Sequence, residues 1–94
     1  MKVVWSPRAI RHLIAIREYI EKDSDESAAL AAARILDAIE TLRTQPQMGR
    51  PGRLNGTREL VVFGTPFIVP YRVKHERLEL LAVSDGRRQW PRKL

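Results

Sequence analysis

GRPGRLNGTRELVVFGTPFIVPYRV, residues 49–73, is the stretch that decides the fold. It begins as a loop rich in glycine, proline and arginine, becomes extended at Thr57 and is interrupted at Gly64 and Pro66. A second extended run then continues to Arg72. Glycine and proline are typical of turns, and runs of β-branched and aromatic residues between them are typical of strands. The stretch therefore predicts a β-hairpin with an arginine at the base of each strand.

The pairing of the two strands follows from the position of the turn, because alternate residues of a strand share one face. A loop over residues 64–66 places Phe63 opposite Phe67 and Arg58 opposite Arg72. The odd-numbered residues form the more apolar set, and we expect them to face the core: Val61, Phe63, Phe67, Val69, Tyr71 and Val73. Arg58 and Arg72 are then neighbours on the open face of the sheet.

Two like charges directly opposite each other destabilise a sheet. Two interpretations of Arg58 and Arg72 follow. In one, both side chains point to solvent or pair with Glu59 or Glu76; in the other, they form a site for an anion.

Two amphipathic helices precede the hairpin. A short strand, Lys2 to Trp5, ends where Ser6 and Pro7 supply an N-cap and a first helical residue. The first helix is predicted to run to about Lys22, and the second follows a polar break and ends near Arg43. Their apolar stripes are Ala9, Leu13, Ile16 and Ile20 in the first, with Ile10 and Ile14 beside them, and Ala28, Ala32, Ile35, Ile39 and Leu42 in the second.

A third strand is predicted after the hairpin, from Leu78 to Asp85, beyond a polar turn over residues 74–77. The order strand, two helices, three strands predicts an α+β fold, β-α-α-β-β-β, in one domain spanning residues 1–94. An antiparallel sheet is covered on one face by the helical hairpin. Pro70 cannot donate to a strand ladder, so we expect it at a bulge or where its nitrogen faces no neighbour.

Composition excludes several classes of function. The chain has no cysteine, and His12 is predicted to be a surface residue, so we expect no disulfide, no metal and no cofactor. No apolar run is long enough for a signal peptide or approaches the roughly 20 residues of a membrane span, so we expect a soluble protein without a membrane partner. The lack of cysteine suits the reducing cytoplasm. The glycines lack the context of a phosphate-binding loop, and the serines lack that of a nucleophile.

Net charge is +6 and the sequence pI is about 10.5, which favours a negatively charged partner. Guanidinium groups bind phosphates and aromatic rings stack on unpaired bases, so arginines beside aromatic residues suit single-stranded RNA. In the alternative interpretation, Tyr71 and Trp90 belong to the core and to a lid. The residues concerned are Arg50, Arg53, Arg58, Arg72, Arg77, Arg87, Arg88 and Arg92, with Tyr71, His75 and Trp90 among them.

Six segments in this order and spacing resemble the RelE/ParE family, the toxins of type II toxin-antitoxin systems. They are VVWSPRA, IREYI, QMGRPG, GTRELVV, FIVPYRV and RRQWP, and together they span nearly the whole chain. The resemblance implies a sheet of about four antiparallel strands under a helical hairpin. It also implies one of two activities, since RelE-like members cut mRNA on the ribosome whereas ParE-like members poison DNA gyrase.

Cleavage of RNA requires a base for the ribose 2′-hydroxyl, an acid for the leaving oxygen and cations for the developing charge. By resemblance, Arg58 and Arg72 match cationic positions of nuclease members, and Asp85 stands where many relatives have a histidine. Glu59 and His75 are further acid or base candidates. The missing histidine counts against catalysis.

The resemblance therefore favours a ParE-like, non-enzymatic toxin of DNA gyrase. Its target-binding surface would include Arg50, Arg53, Arg87, Arg88 and Trp90. The alternatives are a RelE-like mRNA endonuclease acting with the ribosome, and a toxin fold that has lost toxicity. In each case the implied partner is an antitoxin with an acidic, helical wrapping segment that lies along an apolar groove.

Overall fold

The computed structural model describes residues 1–87, which form two helices and a sheet of six strands. The α+β class and the order of the elements agree with the sequence prediction. The elements are β1 (Lys2–Trp5), α1 (Pro7–Glu21), α2 (Asp25–Thr44), β2 (Arg50–Pro51), β3 (Arg58–Val61), β4 (Phe67–Lys74), β5 (Arg77–Leu80) and β6 (Ser84–Asp85).

Both helices begin at a serine cap, as the sequence indicates for the first. The Ser6 hydroxyl accepts a hydrogen bond from the Ala9 amide (3.0 Å), and the Ser24 hydroxyl accepts one from the Ser27 amide (3.1 Å). Each bond satisfies an amide of a first helical turn that has no partner within the helix. Neither of these helices is long and apolar enough to cross a membrane.

The apolar stripes of the helices meet one face of the sheet. Ala9, Ile35, Ile39 and Leu42 are buried there against the sheet residues Leu60, Val62, Val69, Tyr71, Leu78 and Leu80. Ile10 and Ile14, at the side of the first stripe, remain 46% and 51% exposed. The core therefore lies in one layer between the helical hairpin and the sheet, which leaves the other sheet face uncovered by helices.

The sheet is mixed. Its strand order is β1-β5-β4-β3-β2, with β6 beside the other end of β4. β1 runs parallel to β5, whereas the remaining pairs are antiparallel. A parallel pair needs a long crossover, and here both helices and the hairpin separate the two strands in the chain.

The predicted third strand is divided into β5 and β6 because the chain leaves the ladder over residues 81–83. Pro70 lies opposite this interruption. Its carbonyl accepts a hydrogen bond from the Leu81 amide (2.9 Å), and its own nitrogen, on the same side of the strand, meets no partner strand. The expectation that Pro70 occupies a position that needs no amide donor is confirmed.

The predicted register of the hairpin is wrong by one residue. The Val62 amide donates to the Phe67 carbonyl (3.0 Å), so the loop has four residues, 63–66, and not three. Thr65 closes it: its amide and hydroxyl both donate to the Val62 carbonyl, and its hydroxyl accepts from the Phe67 amide (3.0 Å). Gly64 allows the turn with φ of 77°.

A shift of one residue reverses the faces of β3. Leu60 and Val62 are buried, whereas Val61 is 51% and Phe63 is 94% exposed. On β4 the predicted core residues Phe67, Val69 and Tyr71 are buried, although Val73 at the strand end is exposed.

Candidate functional site

Arg58 and Arg72 lie on opposite faces of the sheet, which corrects their predicted pairing. Arg58 is opposite Tyr71, whose side chain is in the core, and Arg72 is opposite Glu79 on the open face. The Arg72 guanidinium forms an ion pair with Glu79 and holds the pKa of that carboxyl below its usual value. The predicted cationic pair is therefore absent from this hairpin.

Arg58 anchors the loop that joins α2 to β2. Its Nη1 donates to the carbonyl oxygens of Gly49 (2.8 Å) and Gln47 (3.3 Å). The hydroxyl of Tyr71 holds the same loop, since it accepts from the Gly49 amide (2.9 Å) and donates to the Pro46 carbonyl (2.6 Å). Burial of Tyr71 raises the pKa of its phenol. Both side chains satisfy backbone groups that the loop leaves unpaired.

Gly49 is required at this contact because a side chain would meet the Tyr71 ring. A Cβ atom at Gly49 would lie 2.6 Å from the Tyr71 Cε1 and hydroxyl atoms. The ring is fully buried and has no room to move aside. Tyr71 is therefore a core residue, as one of the two sequence interpretations has it, and is not a stacking surface for a base.

Arg50 and Arg53, two of the predicted target-binding residues, are brought together by Glu59. The Glu59 side chain is 4% exposed and pairs with Arg50 Nη2 at 3.0 Å and with Arg53 Nε at 3.8 Å. A buried carboxylate requires such partners. The guanidinium groups themselves are more than half exposed and lie on the open face of the sheet.

Asp85, a predicted catalytic residue, is committed to a local contact. Its carboxylate accepts hydrogen bonds from the Arg87 amide (2.9 Å), Nε (3.1 Å) and Nη2 (2.7 Å), and raises the pKa of the Arg87 guanidinium. His75 occupies the exposed turn between β4 and β5 with φ of 52°. Arg88, Arg92 and Trp90 lie outside the described residues.

A groove of about 780 Å³ lies between the helices, the hairpin tip and β6. Its apolar lining includes Ile16, Tyr19 and Ile20 from α1, Leu30 and Ala31 from α2, and Phe67 and Val83 from the sheet side. Arg34 and Arg87 also line it. Tyr19 and Leu30 are 61% and 53% exposed, so the groove presents apolar surface that this chain does not cover in its described part.

His12 also lines this groove. The prediction that it is a surface residue is wrong. It is half-buried, and its Nδ1 accepts a hydrogen bond from the Val83 amide (3.1 Å). Burial and the charges of Arg8 and Arg11 lower the pKa of the imidazole. Among the described residues no group of three or more histidine and carboxylate side chains is placed to hold a metal ion.

Sequence reasoning named Asp85 and Arg87 of this groove as site residues but did not identify its apolar lining, because those residues come from separate elements. One signal was present: Tyr19 and Leu30 are large apolar residues outside the stripes that pack on the sheet. An amphipathic helix with apolar residues beyond its core face has further surface to bury.

The chain resembles known toxins over almost its whole length. The family model of the ParE toxin of type II toxin-antitoxin system, parDE, matches residues 3–90. The protein Y4kP of Sinorhizobium fredii (strain NBRC 101917 / NGR234) is 44% identical over 93 residues, which are 99% of this chain and 96% of that protein. Toxin RelE2 of Caulobacter vibrioides is 33% identical over 87 residues, 93% of this chain and 97% of that protein.

A solved structure of the chromosomal ParDE system from P. aeruginosa has the same fold. It matches with a TM-score of 0.81 and 28% identity, over 90% of this chain and 95% of that chain. Fold and sequence thus define a type II toxin of the RelE/ParE class. Within that class, the chain belongs to the ParE toxin family, and this membership implies a cognate antitoxin as its partner.

Proposed function

We propose that this protein inhibits growth by poisoning DNA gyrase and that a cognate antitoxin neutralises it. The observation that carries the proposal is the placement of the three candidate nuclease residues. Arg58 is bonded to loop carbonyls on the core side, Arg72 pairs with Glu79 on the opposite face, and Asp85 is bonded to Arg87.

Cleavage of an RNA phosphodiester needs an acid, a base and cationic groups within hydrogen-bond reach of one phosphate. Side chains on opposite faces of a sheet do not reach a common phosphate. In the described part of the chain, Arg58, Arg72 and Asp85 therefore do not form such a centre. The match to the ParE family model supports the same preference.

We place the antitoxin in the groove between the helices and the hairpin tip. A helical segment fits there because the lining is largely apolar and comes from two helices, which present ridges for another helix. Arg34 on the lining suits an acidic residue on that segment, whereas the charge of Arg87 is balanced by Asp85, which also lines the groove. The groove is on the helix side of the sheet, so an antitoxin bound there would leave the open face accessible.

The test is expression of the full chain without its antitoxin, followed by measurement of DNA breaks, the SOS response and mRNA integrity. We expect growth arrest with DNA breaks and intact mRNA. When the toxin is added to purified gyrase and supercoiled DNA, cleaved DNA should accumulate. Without the toxin, the amount of cleaved DNA should stay at the background level. Unchanged growth would contradict the proposal that this chain is an active toxin. Growth arrest without DNA breaks would contradict the proposal that gyrase is its target.

An mRNA endonuclease is the second candidate, and the 33% identity to Toxin RelE2 of Caulobacter vibrioides favours it. Cut mRNA after expression, with intact DNA, would establish this activity instead. Arg58→Ala and Arg72→Ala then distinguish the roles of the arginines. A cation that stabilises the transition state is worth several kcal/mol, roughly 3 to 4, so a folded Arg72→Ala variant should lose nearly all cleavage.

A further inference from the structure

Three cations stand side by side across three strands at one end of the sheet. Lys2 of β1 is opposite Arg77 of β5, and Arg77 is opposite Lys74 of β4. Because neighbouring strands are about 4.8 Å apart, the three Cα atoms span about 10 Å. All three residues are exposed, and they lie on the open face because the adjacent Val3 and Leu78 pack into the core. These three residues are termed the cationic row.

The cationic row is unfavourable for folding. Like charges directly opposite each other destabilise a sheet, and none of the three side chains forms an ion pair with any residue in the described part of the chain. Glu79 lies next along β5 on the same face; its carboxylate is paired with Arg72 and also attracts Arg77 and Lys74, so a single carboxylate faces several cations and does not balance the row. Since folding does not explain the row, it indicates a ligand with several negative charges.

The rest of the molecule separates charge in the same direction. The helical hairpin, residues 7–44, contains six basic and seven acidic residues and so has a net charge of −1. The other described residues, 1–6 and 45–87, contain eight basic and four acidic residues and so have a net charge of +4. On the open face, Arg72, which is paired with Glu79, and Arg50 and Arg53, which share Glu59, extend from the cationic row toward the other edge of the sheet. Opposing faces of this kind orient a protein on a polyanion.

We propose that the open face binds the phosphate backbone of double-helical DNA, with the cationic row as its centre. Lysine side chains attract phosphates as point charges, and arginine side chains can bind a phosphate through two parallel hydrogen bonds. Single strands are bound largely by stacking on aromatic rings, and the described aromatic residues lie in the core, on α1 or at the hairpin tip, away from the row. An acidic protein would need an apolar centre, which this molecule offers at the groove on the helix side.

This inference goes beyond gyrase poisoning, because it requires neither gyrase nor the antitoxin. Fluorescence anisotropy of the purified full chain with a short labelled duplex tests it, beside the same strand unpaired, over a range of salt concentrations. We expect the duplex to bind more tightly than the single strand. Its affinity should fall with salt with a log–log slope of about −0.9 per phosphate contacted.

Matched double variants locate the surface. Lys74→Ala with Arg77→Ala should weaken duplex binding at least tenfold and reduce the magnitude of the salt slope by about 2, one for each lost contact. Arg11→Ala with Arg17→Ala removes the same charge from the exposed face of α1 and should leave affinity within twofold of the wild-type value. Equal losses of duplex affinity in both double variants would overturn the proposal, because they would show that binding depends only on the net charge of the protein.

Stability provides a second readout that a structural role would not reproduce. Arg77→Gln removes the middle charge of the row, so its melting temperature should rise at low salt and the difference should shrink as salt is added. A fall in melting temperature would show that Arg77 is structural and would overturn the inference. Tighter binding of the single strand than of the duplex would also overturn it.

Discussion

At the scale of single residues, Arg58 and Arg72 have different tasks although the sequence presents them as a pair. Arg58 bonds two loop carbonyls near the buried Tyr71 hydroxyl, and the loop it holds leads into Arg50 at the start of β2. Arg72 makes one exposed ion pair. Their chemistry could be predicted from the sequence, but their partners could not, because these depend on a register that differs by one residue.

This difference predicts unequal effects on stability. Arg58→Ala should destabilise the fold by about 1–3 kcal/mol, since it leaves carbonyl groups of the loop without donors. Arg72→Ala removes a surface ion pair and should cost about 0.2–1 kcal/mol. Urea unfolding of both variants measures the two values, with Arg17→Ala as an exposed control. Equal losses for Arg58 and Arg72 would contradict the observed register.

His12 predicts a pH dependence of stability. When the imidazole is neutral, its Nδ1 accepts a hydrogen bond from the Val83 amide. A protonated imidazole has no acceptor for this bond. Because the folded-state pKa lies below the value of about 6.5 for an unperturbed imidazole, the unfolded chain takes up the proton first. The stability is therefore fully present above about pH 6.5 and is lost as the pH falls through the folded pKa. Urea unfolding between about pH 8 and 5 should show a decline that His12→Ala lacks; an identical decline in this variant would assign it to other groups.

At the scale of elements, the sequence predicted what local chemistry determines. The start of the first helix follows from its serine cap, helix faces from apolar periodicity, and the core face of β4 from alternation. The register of the hairpin depended on whether Phe63 belongs to a strand or to the turn, and the Thr65 hydrogen bonds decide it. The parallel placement of β1 and the groove depend on packing between distant elements, for which the sequence pattern has no local signal.

The assigned face of α2 predicts a contrast between two aliphatic residues. Ile39 is 4% exposed in the core, whereas Leu36 on the same helix is 48% exposed. Ile39→Ala should cost about 2–5 kcal/mol of unfolding free energy through lost burial and a cavity. Leu36→Ala should change it by no more than about 0.5 kcal/mol. Thermal or urea unfolding of the pair checks the helix phase, and similar losses at both positions would contradict it.

At the scale of the whole molecule, the two sides of the sheet differ in chemistry. The helical hairpin has a net charge of −1 and lines an apolar groove, whereas the open face carries the cationic row. The proposed antitoxin and the proposed DNA backbone thus occupy separate surfaces. A toxin arranged in this way can be neutralised from one side while its other side keeps its affinity for a polyanion.

The separation of surfaces predicts that neutralisation can be lost while toxicity remains. Leu30→Glu places a charge in the exposed wall of the groove, where it would be buried against an apolar and acidic antitoxin helix, and burying an unpaired charge is strongly unfavourable. Leu36→Glu is the matched control, because Leu36 is similarly exposed on α2 and does not line the groove. In growth assays without the antitoxin, both variants should be toxic. When the antitoxin is co-expressed, it should rescue growth for Leu36→Glu but not for Leu30→Glu. Rescue of both would place the antitoxin on another surface, and loss of toxicity in Leu30→Glu with an unchanged melting temperature would place the target in the groove.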